Sequence, residues 1–143
     1  AAYRQIGDKS GEGSILTNLG ITYSAVGDDY RAIEFYEQAI AISRVIENEQ
    51  GKAAVLYNLG KAYFNMGDYE RTKELYEQAL IMREAIGDRY GLALTLRGLA
   101  KIALKKDDFG IAKTHLTEAL SILEEVGSSE VSNIRNELAA LKT

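Results

Sequence analysis

The sequence contains no cysteine, no proline and no tryptophan, and only one histidine in 143 residues. The lack of cysteine excludes disulfides, zinc–thiolate sites and thiol nucleophiles, and a lone histidine has no partner for a two-histidine metal site. No run of about 18 apolar residues is present to span a bilayer. The opening "AAYRQIGDK" lacks the basic and apolar regions of a secretory leader, so the expected location is the cytoplasm. A net charge of −4 argues against nucleic acid or an anionic membrane as a partner of the whole surface. With 46% hydrophobic and 27% charged residues, the chain has what one soluble domain needs to bury a core.

What is present is repetition. At a period of 40 residues, "IGDKSGEGSILTNLG" (6–20), "IENEQGKAAVLYNLG" (46–60), "IGDRYGLALTLRGLA" (86–100) and "VGSSEVSNIRNELAA" (126–140) fall into register. Apolar residues recur at helical spacing within a period, as in Leu56, Leu59 and Tyr63, then Leu75, Ala79, Met82 and Ile86. Each period therefore predicts two helices. The first helices fall at about 12–26, 52–66, 92–106 and 132–142, the second at about 30–46, 70–86 and 110–126. Between paired helices lie "GDD", "GD" and "KDD", short turns with an aspartate to cap the next helix. Longer links are expected around Gly7, Asn48, Gly87 and Gly127.

The tetrapeptide "YEQA" occurs at 36–39 and again at 76–79. Ala39, Ala79 and Ala119 share one position of the second helix, and Gly20, Gly60 and Ala100 one position of the first. Small residues at such positions let helices approach closely, and Tyr36 and Tyr76, replaced by Leu116 in the third copy, fill the adjoining space. The motif reads as scaffold. His115 takes the place of Phe35 and Leu75 and reads as a packing residue, Glu124 and Glu125 as solvated surface, and "GEGS" (11–14) as linker glycines without the strand or lysine of a phosphate loop. No nucleophile with a base and an orienting partner can be assembled, so the chain is not expected to be an enzyme or to carry a cofactor.

The pattern Leu56, Leu59, Gly60, Tyr63, then Gly67, Asp68, Tyr69, then Tyr76 and Ala79 resembles the tetratricopeptide repeat (TPR), here in a 40-residue form similar to that of Pins-type adaptors, kinesin light chains and prokaryotic signalling proteins. The family's tryptophan position holds Leu16, Leu56 and Leu96, and its closing proline Arg44, Glu84 and Glu124. The resemblance implies an all-α fold, a right-handed solenoid of antiparallel helical hairpins, as one array over 1–143. In it, 1–6 form the tail of a preceding repeat, 12–46, 52–86 and 92–126 are full repeats, and 132–142 is a capping helix with Ile134, Leu138 and Leu141 inward. A missing helix before residues 1–6 would leave an apolar edge. The first copy reads "GDDYRA" in place of the family-like "GDYERA", so a local adjustment is expected at Tyr30.

By the same resemblance the first helices line a concave groove that carries function. Asn18, Tyr57, Asn58, Lys61, Phe64, Asn65, Arg97, Lys101 and Lys105 become the expected peptide-binding residues. The asparagines would meet a partner's backbone, the cations its acidic groups, and the aromatic rings its apolar side chains. Arg97, Lys101 and Lys105 stand at i, i+4, i+8, a column of like charge that costs a few tenths of a kcal/mol per pair unless something neutralises it. A clamp for two terminal carboxylates is not supported, because Thr17, Ile21 and Leu94 stand where it needs basic or amide side chains. The expected partner is a protein or peptide ligand of acidic and apolar character. The alternative is a structural spacer, or a self-association or sensor segment of a larger signalling protein.

Overall fold

A computed structural model describes the backbone of residues 2–141 and the side chains of residues 8–141. Seven helices make up the described chain: α1 (Ala2–Ala25), α2 (Asp29–Ile46), α3 (Glu49–Asn65), α4 (Tyr69–Ile86), α5 (Arg89–Lys105), α6 (Phe109–Glu125) and α7 (Val131–Ala140). They fall into two compact units, residues 1–78 and 79–143, with the division inside α4.

Five helices start alike. The side-chain oxygens of Asp28, Asn48, Asp68, Asp88 and Asp108 each accept a hydrogen bond from the backbone N–H three residues on, at 2.9–3.2 Å. These satisfy donors that a helix N-terminus otherwise leaves orphaned. Because Asn48 and Asp88 cap directly, α3 and α5 begin three residues earlier than the apolar pattern suggests, at Glu49 and Arg89. The links around Asn48 and Gly87 are therefore only two residues long, not the longer connections expected. The left-handed residue that ends a helix is glycine at 67 and 87 but Glu47 and Asp107 in sister positions, with φ of 54° and 58°.

Two other expectations are corrected. Helix α1 runs unbroken from Ala2, so no link forms at Gly7, and the glycines of "GEGS" lie inside a helix. Extending a formed helix adds one hydrogen bond per residue, whereas a separate short helix would need its own costly nucleus. The expected edge formed by residues 1–6 lies outside the described side chains. At Tyr30 the backbone needs no adjustment, because Asp28 caps α2 just as Asp68 caps α4. The side chains exchange instead. Where Phe64 packs on Tyr69 with ring centroids 5.2 Å apart, the first copy has Ser24 donating to Asp29 at 3.1 Å, and Tyr30 turns outward.

The repeated tyrosines are core. Tyr36 and Tyr76 are 2% and 3% exposed. A Cβ built on Gly60 would lie 2.6 Å from the Tyr76 ring, and one on Gly20 would intrude on Tyr36 in the same way. In the second unit the same two positions are Leu116 and Ala100, both buried in a cluster with Leu96, Ala119, Leu123 and Ile134. Ring and glycine are thus replaced together by a smaller side chain and a methyl. Burial raises the pKa of both phenols, most for Tyr76, where neighbouring Tyr57 adds to the effect.

Candidate protein-interaction surface

In the first unit, helices α1 and α3 present the residues expected from the repeat pattern. Asn58, Lys61 and Asn65 line one side of a hollow of about 250 Å³, and Ile21 and Ser24 of α1 line the other. Tyr36 contributes to the floor. Lys61 is exposed, with its ammonium 5.8 Å from the centroid of the Tyr57 ring, and Tyr57 is stacked on Tyr76 at 5.3 Å. The cation is therefore held on an aromatic column that begins in the core. Phe64 is half-buried against Tyr69 and offers an edge, not a free ring. Asn18 does not join Asn58. It lines a second hollow of about 310 Å³ toward the start of α1, together with Ser14, Thr17 and Ala54.

The second unit treats its three cations unequally. Lys101 and Lys105 are exposed and make no ion pair among the described residues. Arg97 is engaged: its Nε donates to Glu137 at 3.0 Å, Nη1 to Glu130 at 3.3 Å, and Nη2 to Glu137 again. These hydrogen bonds, that to Glu137 first, raise the Arg97 pKa further. The charge column is neutralised at its head by acid from α7 and the turn before it, so Arg97 joins two helices and leaves no free charge for a ligand. Glu137 stands one period after Arg97, an opposite charge at the same repeat position, which is the sequence signal that would have revealed the pair.

Sequence reasoning also missed Arg83. It is only 7% exposed, donates to the Gly91 carbonyl and to Thr95 Oγ1 at 3.0 Å each, and lies 3.7 Å from Asp88. Its sister positions are Ser43 and Leu123, both buried. His115 is half-buried in the place of Phe35 and Leu75, with Nδ1 lacking a hydrogen-bond partner, which fits packing better than proton transfer. Glu124 and Glu125 form exposed ion pairs with Arg135 and Arg89. Among the described residues no cluster of three or more potential metal ligands occurs, and no helix is long and apolar enough to cross a membrane.

Sequence profiles of the tetratricopeptide repeat match residues 13–49 and 51–125. The chain belongs to the tetratricopeptide repeat family. No curated protein matches it significantly in sequence. Among solved structures, BtubC (BKLC) from P. vanneervenii is 22% identical with a TM-score of 0.82, over 90% of this chain and 54% of that one. The apo form of RapI is 17% identical with a TM-score of 0.86, over 94% and 38%. The nearly identical TPR-like repeats of a Podosopora anserina protein described as a putative kinesin light chain give 20% and 0.76, over 90% and 64%. The chain thus spans less than two thirds of each of these proteins. Likeness at this level establishes the fold class, an all-α helical-repeat solenoid, and TPR modules of this class are in general non-catalytic scaffolds for protein partners.

Proposed function

We propose that this TPR module holds an acidic segment of a partner protein, extended or as a short helix, on the exposed face of its first helices. The observation that carries this reading is the hollow beside Lys61, where a cation fixed over Tyr57 adjoins the amides of Asn58 and Asn65 and the apolar Ile21. Fixed donors and a cation at the mouth of a part-apolar recess suit a carboxylate flanked by an apolar side chain. In the second unit Lys101 and Lys105, at the repeat positions of Lys61 and Asn65, are assigned to the same class of ligand. Arg97 is left out, its charge being spent on Glu137 and Glu130. Each shielded charge-assisted hydrogen bond would contribute roughly 1.5–3 kcal/mol, and much less at the rim.

The test is a peptide-display selection with a Lys61→Glu, Lys101→Glu double variant as counter-target. Acidic peptides should be enriched and lost on the variant; enrichment indifferent to it would refute the assignment.

A second reading, self-association, is favoured by one observation. Ile15 and Leu19 of α1 are 62% and 37% exposed, while the matching Val55 and Leu59 of α3 are buried. A second copy covering this stripe would dissociate on dilution in sedimentation, and a monomer at every concentration would count against it.

A further inference from the structure

Three positions that line the hollow of about 310 Å³ in the first unit carry larger aliphatic side chains two periods later, in the second. They are Ser14, Ser43 and Ala54. Two periods later the same positions are Leu94, Leu123 and Ile134; Leu123 is 1% and Ile134 0% exposed. Two serines and an alanine thus stand where the later copy has three aliphatic side chains. The recess is roughly at the lower bound of ligand-pocket volumes, several times what one water needs.

Its chemistry selects the occupant. No charged side chain lines it, and Ile42, Ile46 and Val55 supply apolar wall. Three polar side chains on the wall are already engaged: Ser43 Oγ donates to the Ala39 carbonyl at 3.1 Å, Thr17 Oγ1 donates to the Gly13 carbonyl at 2.8 Å, and Asn48 Oδ1 accepts from the Gly51 N–H. By contrast Ser10, Ser14 and the Asn18 amide, all exposed, make no side-chain hydrogen bond among the described residues. Bonded polar groups within and open ones at the exposed edge describe a socket for an apolar side chain whose own backbone stays outside. A guanidinium is disfavoured. The buried Arg83 of the second unit is served by Thr95 and Asp88, and the sister positions here are Val55 and Asn48.

We propose that this recess is an anchor site for one uncharged aliphatic or aromatic side chain of a bound peptide, with Ser14 and Asn18 meeting the peptide's amides. The proposal rests on the reading of the chain as a peptide-holding module and adds to it a specificity pocket separate from Lys61. The probe is N-acetyl-leucinamide, titrated while backbone amide resonances are followed by NMR, with N-acetyl-aspartamide as the charged control. The leucine probe should produce saturable shifts at Asn18, Ala54 and Val55, with an affinity on the order of millimolar, as befits so small a ligand. The aspartate probe should produce none. Ser43→Leu installs the residue of the third copy and should abolish the shifts; Ser14→Leu does so from the opposite, exposed wall and serves if the first variant folds poorly. Shifts that persist at full size in both folded variants, or that never appear in the unaltered protein, overturn the proposal. Lys61→Glu should leave them intact. Loss of peptide enrichment tracks Lys61 and loss of probe shifts tracks Ser43, so either reading can fail without the other.

Discussion

The two units solve the same packing problem with different residues. The first pairs a large ring with a glycine, Tyr36 with Gly20 and Tyr76 with Gly60, and leaves a recess walled by Ser14, Ser43 and Ala54. The second pairs Leu116 with Ala100 and has Leu94, Leu123 and Ile134 at the matching positions. Tyrosine rings carry a polar hydroxyl and need a flat slot; aliphatic side chains interdigitate without either demand. The first unit thus has hollows and polar groups beside its tyrosines, and the second carries a cluster of aliphatic side chains on the same helical frame.

The largest effect should come from importing the open arrangement into the closed unit. Leu123→Ser removes a fully buried aliphatic group and should cost about 3–5 kcal/mol in denaturant unfolding. A loss below about 1 kcal/mol would mean that the second core is not held by this residue. Next is Gly60→Ala, which drives a methyl against the Tyr76 ring and should cost about 1–3 kcal/mol despite alanine's better helix propensity. Adding Tyr76→Leu, which reproduces the Leu116–Ala100 pair, should recover part of that loss, and a double-mutant cycle without coupling would break the equivalence of the two pairs. Arg97→Ala leaves Glu137 and Glu130 without their cation and should cost about 1–2 kcal/mol, less at high salt.

How much of this was legible beforehand follows from what repeats. Hairpin pairing, the aspartate caps between paired helices and the scaffold role of "YEQA" recur at a fixed period and could be read from the letters. Contacts that occur once could not. Arg83 occupies a core column otherwise filled by serine and leucine, and nothing in its own spacing says that Gly91 and Thr95 will accept its hydrogen bonds. The column of Arg97, Lys101 and Lys105 was visible, but its neutralisation depends on where α7 packs. The unbroken α1 was hidden because Gly7 and Asp8 spell the same link as Gly87 and Asp88, and local letters do not decide whether a helix continues.

Two smaller tests separate the units by chemistry. The buried phenols of Tyr36 and Tyr76 have raised pKa values, so the native state favours their protonated forms. Their contribution is complete below the unfolded-state value near about 10 and is lost as pH rises beyond it. Alkaline unfolding should accordingly weaken in a Tyr76→Leu, Gly60→Ala variant; an unchanged pH profile would mean that another group governs it. Smallest of all, Lys61→Glu should change stability by about 0.5 kcal/mol, since it gives up only a surface cation–π contact. A larger drop would show that Lys61 is structural and unsuited as a probe of binding.

The ring-and-glycine lock also constrains the order in which the copies could have diverged. Between Tyr–Gly and Leu–Ala lie two single-step intermediates. One joins a tyrosine to an alanine and forces a methyl into an aromatic ring; the other joins a leucine to a glycine and merely leaves a gap. A lineage travelling in either direction crosses more easily through the gap, so the ring shrinks before the glycine grows, or the alanine is lost before the ring appears.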